Sequence, residues 1–212
     1  MMGVSNMVRL DYFTMKPNLK TFGAVILFVV AFWLMRTSLT LLLINCAWYM
    51  ALISTNVFAV EEKDGLWRLY GILPLRTRAM ILGRYVFVIL IYVVATSVVL
   101  GLSLIVPGRE PITLGGVFLS MSASLLIFSA IVGAQMPFFF RLGYNKGRFY
   151  AMIPFFTVMG LAAIPSLIGE TLALFSWAIN NQTMAGLLMF ALSIAILTLS
   201  CVVSLFLYEA QR

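Results

Sequence analysis

Six long apolar runs, at residues 21–35, 38–60, 85–106, 114–136, 149–168 and 184–208, alternate with short polar breaks. A helix needs about 20 apolar residues to cross the hydrocarbon of a bilayer, so the pattern predicts six transmembrane helices. The breaks have their own chemistry. Arg36-Thr37-Ser38 gives the first two runs a tight turn, and Pro107-Gly108-Arg109-Glu110-Pro111 closes the third with a strong loop signal. Pro137 and a basic loop over residues 141–148 follow the fourth, and the fifth carries Pro154 and Pro165.

Two segments fit neither pattern. In residues 1–20, Val4, Met7, Val8 and Asp11 or Tyr12 follow helical spacing, while Arg9 and Lys16 lie elsewhere on the wheel. This predicts an amphipathic helix in the membrane interface, ended by Pro17. It does not read as a secretory signal, because the apolar run begins only after Lys20 and no small-residue cleavage site follows. Residues 169–183, with Glu170, Trp177, Asn180, Asn181 and Gln182, are too apolar for a free loop and too polar for a span. A short re-entrant or interfacial element is expected there.

Composition agrees with lipid as the solvent. The chain of 212 residues is 63% hydrophobic and 10% charged, against roughly a quarter charged in soluble domains. Six spans with short connections leave no room for a soluble catalytic domain. The net charge of +7 belongs to basic residues beside apolar spans, so topology explains it and no nucleic-acid partner is expected. Histidine is absent, which removes the commonest general base and metal ligand. Cys46 and Cys201 fall inside predicted spans and read as small packing residues, with no metal site implied.

Orientation follows from the distribution of Lys and Arg. Twelve of the 14 lie on the side of the N-terminus, the second–third loop, the fourth–fifth loop and the C-terminus; only Arg36 and Arg109 lie opposite. That side is therefore expected to be cytoplasmic, with both termini inside.

The charge is densest at residues 61–84, which hold eight of the 21 acidic and basic residues. Leu66, Leu69, Tyr70 and Leu73 recur at i, i+3, i+4 and i+7, predicting a short helix with one apolar stripe over residues 61–76. Glu61, Glu62 and Asp64 cluster at its expected start, where the helix dipole favours negative charge. Asp64 and Arg68 are spaced to pair, Pro74 stops the helix, and Thr77 is placed to cap the next one.

These residues carry a family resemblance. Glu62-Lys63-Asp64-Gly65-Leu66-Trp67-Arg68-Leu69, followed by Leu73-Pro74-Leu75-Arg76, resembles the segment after the second span of type-2 ABC exporter permeases. The small six-span bacterial members are most similar, sharing a start like Leu10-Asp11-Tyr12-Phe13 and a step like Arg84-Tyr85. Leu66 and the order Arg76-Thr77 depart from the usual pattern. The resemblance implies an all-α polytopic membrane protein of the bacterial plasma membrane, forming one transmembrane domain. It makes residues 61–76 a coupling helix that docks in a separate ABC ATPase subunit, through Glu61, Glu62, Asp64, Gly65, Leu66, Trp67, Arg68, Leu69, Tyr70, Leu73, Pro74 and Arg76. It also implies an exporter working by alternating access, as a homo- or heterodimer of permeases. The sequence contains no Gly-x-x-x-x-Gly-Lys-Ser/Thr nucleotide loop, so no cofactor is expected on this chain, and ATP and Mg would belong to the partner.

Asn45, Asn56 and Gln135 lie in or near spans, where polar side chains commonly bond between helices; they are also the candidates for a substrate path. Phe138-Phe139-Phe140 reads as an interface anchor. A bare outer face suits peptides, lipids or hydrophobic drugs as cargo. Two rival readings are a substrate-capture subunit of an energy-coupling-factor importer and a secondary transporter. The first is not expected to carry a Pro-terminated helix after its second span. The second needs ionisable or broken-helix sites near the midplane, which the spans hardly offer. An intramembrane enzyme lacks any placed nucleophile–base pair.

Overall fold

A computed structural model describes residues 4–16, 38–65, 77–105, 113–168, 177–178 and 180–209. All regular structure among these is helical: α1 (Val4–Met15), α2 (Leu39–Ser54), α3 (Asn56–Lys63), α4 (Thr77–Ile105), α5 (Leu114–Ile168) and α6 (Gln182–Glu209). Four stretches are long and apolar enough to cross a membrane, namely Leu39–Lys63, Arg78–Ser103, Leu114–Val158 and Gln182–Glu209. The run at 21–35, most of the expected outer element at 169–183, and residues 66–76 lie outside the described residues.

The second apolar run becomes α2 and α3, joined at Thr55. There Ser54 Oγ donates to the Ala51 carbonyl (2.6 Å) and Thr55 Oγ1 to the Leu52 carbonyl (2.7 Å). Side-chain bonds of this kind compete with the backbone ladder and bend helices.

The longest helix is a hairpin. Residues 16 apart in a straight helix are separated by about 24 Å, yet Gln135 Nε2 donates to the Ala151 carbonyl at 3.0 Å. The reversal falls at Gly143, midway between them, whose φ of 70° and ψ of 177° are open essentially to glycine alone. The expected basic loop at 141–148 is therefore a turn inside a helical hairpin, and Pro137 does not end the helix.

Cross-helix contacts fix the direction of each element. Thr40 meets Ser120 (2.7 Å), and Ser124 donates to the Leu43 carbonyl (2.9 Å), so α2 runs parallel to the first leg of α5. Gly186 packs against Phe118, and Gly133 against Ile196 and Ser200, so α6 is parallel to it as well. Tyr92 bonds Ser124 (2.8 Å), while Tyr85, seven residues earlier, bonds Ser200 (2.6 Å) and Ser204 (2.9 Å); α4 is thus antiparallel to both. Between helices in lipid such polar bonds contribute about 0.6 kcal/mol each on average. Together they pin the register.

One end of the bundle therefore gathers the end of α3, the start of α4, the turn of α5 and the end of α6. Helix α1 completes it. At 12 residues α1 is about 18 Å long, too short to cross. It buries Met7, Asp11 and Met15 and lies so close to α4 that a Cβ on Gly83 would sit 2.6 Å from Met7 Cβ. Every described Lys and Arg lies at this end: Arg9, Lys16, Lys63, Arg78, Arg84, Arg141, Lys146 and Arg148.

Candidate functional site

Arg84 is the centre of the basic end. It follows seven residues after Thr77 on α4 and faces inward, almost fully buried. Its Nη2 lies 2.6 Å from Glu61 Oε2 at the end of α3, and its Nε lies 3.9 Å from Asp11 Oδ1 on α1. The guanidinium sits over the Phe58 ring (4.6 Å) and beside Phe140 (5.8 Å). Phe58 in turn stacks on Phe139 (5.0 Å) and meets Phe140 edge-on (5.3 Å). A planar, weakly hydrated guanidinium suits such a site, because it stacks on rings while its edge pairs with carboxylate.

The next residue, Glu62, makes a second tie. One carboxylate oxygen accepts from the Asn145 backbone N–H (2.9 Å), and the other accepts from Asn145 Nδ2. Asn145 is in the first turn after Gly143, where helical N–H groups have no intrahelical partner. Glu62 thus caps the second leg of the α5 hairpin from outside it. The dipole there favours a negative charge.

Helix α3 carries both acids through its last turn and ends at Asp64, with Gly65 in the left-handed region (φ 65°). This corrects the expected helix start: Glu61 and Glu62 close the second-span helix instead of opening the helix at 61–76. Their place at a helix C-terminus is unfavourable for the dipole, and Arg84 and the Asn145 N–H offset it. Phe139 and Phe140 are likewise corrected. They are buried around Arg84 and Phe58, and only Phe138, stacked on Tyr150 (6.1 Å), retains partial exposure.

Burial dominates the electrostatics at Asp11. Its carboxyl is raised from 3.8 to about 6, with desolvation outweighing the attraction of Arg84 and with Glu61 adding repulsion. Both of its oxygens are buried without a hydrogen bond. The folded protein holds this proton more tightly than the unfolded chain. Asp11 therefore costs no stability below about pH 4, and the cost grows as pH rises through about 6. Asp11→Asn should melt with the wild type near pH 3 and be more stable by roughly 2–3 kcal/mol at pH 7.5. Melting the detergent-purified proteins across that range checks it, and a constant difference would contradict it.

Of the expected docking residues, Glu61, Glu62, Asp64 and Gly65 are thus placed at the end of α3; Leu66, Trp67, Arg68, Leu69, Tyr70, Leu73, Pro74 and Arg76 lie outside the described residues. The three path candidates do not converge. Asn45 Nδ2 bonds its own helix at the Leu41 carbonyl (2.8 Å), Asn56 opens α3, and Gln135 ties the two legs of α5. Sequence reasoning missed Asn145, Gly143 and the rings around Arg84. The available signal was an Asp within the apolar stripe of α1, since a charge on a buried face needs a partner.

Residues 6–209 match the family described as ABC-2 family transporter protein. The chain belongs to that family. No curated protein and no solved structure matches it. As an ABC-2 permease it is a multi-pass membrane component of an ABC transporter and is not itself the catalytic subunit, and the family implies an ABC ATPase as its partner. In this permease the buried cluster joins the second-span helix, which leads into the expected docking segment, to α1, α4 and the α5 turn.

Proposed function

We propose that this ABC-2 permease is the six-span membrane half of an ATP-driven exporter in a bacterial plasma membrane, with both termini in the cytoplasm. It works as a dimer with two ATPase subunits, which hold the ATP and Mg. Residues 64–76, which follow directly on α3, form the coupling segment that seats in the ATPase. Closure of the ATPase pair on ATP moves this segment, and the permease alternates between inward and outward access.

The observation that carries this reading is the double tie at the end of α3. Glu61 reaches Arg84 and Glu62 reaches Asn145, so a pull on residues 66–76 is delivered at once to α4 and to the α5 hairpin. Arg84 also links the pull to α1 through Asp11. The next residue on α4, Tyr85, extends the connection to α6 through Ser200 and Ser204. A segment that merely closed a loop would not need buried charge at its root. The gathering of all described cations at this end supports placing it in the cytoplasm.

Substituting Gly65→Asp together with Trp67→Glu should abolish ATP hydrolysis stimulated by the permease while leaving membrane insertion intact. Unchanged stimulation would remove the docking role from this segment.

A further inference from the structure

A groove of about 530 Å³ runs between α1, α2 and α4, open on one side. Its wall is almost wholly apolar. Along α4 it is lined from Phe87 to Leu102 by a single stripe of apolar residues at helical spacing. Its charged neighbours come from α1, where the exposed Arg9 and Lys16, seven residues apart on one face, stand at the groove's margin beside Ser5 and Tyr12. Among the described residues no acidic side chain pairs with Arg9 or Lys16, and Arg9 lies over the Phe13 ring at 5.7 Å. The stripe on α4 is about 22 Å long, against about 15 Å for the hydrocarbon of one leaflet.

We propose that this groove binds an anionic phospholipid of the surrounding bilayer, with its phosphate at Arg9 and Lys16 and an acyl chain along the α4 stripe. The shape suits one elongated chain, because the groove is long, side-open and apolar beyond its mouth. The charge selects the head group, since each cation near an anionic head is good for about a fivefold preference. The site is separate from the buried cluster. Arg9 and Lys16 leave α1 on a different face from Met7 and Asp11, which pack against α4. A lipid seated there would brace α1 on α4, and α1 carries one of the carboxylates that face Arg84.

Native mass spectrometry of the full-length permease, titrated with phosphatidylglycerol or phosphatidylcholine, tests this. Wild type should retain phosphatidylglycerol roughly 20- to 30-fold better than phosphatidylcholine. Arg9→Gln with Lys16→Gln should abolish that preference and leave phosphatidylcholine retention unchanged; both positions are exposed, so the fold is kept. Val94→Trp, at an exposed groove position, should weaken retention of both lipids. Equal retention of the two lipids by wild type, a preference that survives the double substitution, or no effect of Val94→Trp would each overturn the assignment. So would retention of oleate without phosphatidylglycerol, which would make the occupant a free amphiphile rather than a bilayer lipid.

Discussion

Arg84→Ala should lower the stability of the permease by about 3–5 kcal/mol, because it leaves the Glu61 and Asp11 carboxylates facing each other in a buried site without a cation. The loss is expected as a fall in melting temperature and in the fraction of protein that survives detergent extraction. Lysine should recover only part of it, since an ammonium cannot lie flat over Phe58 while its edge meets Glu61. The cause can be isolated. Combining Arg84→Ala with Glu61→Gln and Asp11→Asn removes the stranded charges and should restore most of the stability. A triple variant as unstable as the single would show that ring packing around the guanidinium, and not charge, holds this end together.

The second large effect is expected at Gly143. A valine there must adopt φ 70° and ψ 177°, a region that costs a residue with a Cβ about 1–3 kcal/mol, and a β-branched one is least able to reach it. Gly143→Val should therefore destabilise the hairpin and shift Asn145 away from Glu62. Gly101→Ala is the matched control: that glycine has open space around it inside α4, so alanine should be neutral or stabilising by up to about 1 kcal/mol. Equal melting of the two variants would mean that the reversal does not depend on glycine.

Much of this fold was legible because lipid imposes a simple code. Apolar runs near 20 residues mark helices, and the described runs fall on α2–α3, α4, both legs of α5 and α6 to within a few residues, apart from the start of α4 and the turn of α5. The turn at Gly143 was hidden because its neighbours, Arg141 and Asn145, carry the polarity of a loop although both sit in helix. Backbone reversal by one residue leaves no periodic trace. The fate of Phe139 and Phe140 was hidden for a related reason. A ring triplet at a span end reads as an anchor unless its inward cation is known, and Arg84 lies more than 50 residues away in sequence. The acids at 61 and 62 misled for a physical reason as well. Their charge suggested a helix start, but cross-chain partners at Arg84 and Asn145 outweigh the dipole and let a helix end there. What the sequence did expose was the concentration of charge itself, and with it the end of the molecule where the candidate site lies.

The central claim is that the end of α3 transmits force through Glu62 to the α5 hairpin. The most direct measurement is a double-mutant cycle of Glu62→Ala and Asn145→Ala, read as ATP hydrolysis by the complete transporter that the permease stimulates, with co-purification of the ATPase as a check on assembly. A charge-assisted bond of this kind is worth about 1.5–3 kcal/mol, so each single variant should lose roughly tenfold or more of the stimulation while the complex still assembles. The double variant should be no worse than the poorer single. Full stimulation in both single variants, or losses that simply add, would contradict the account.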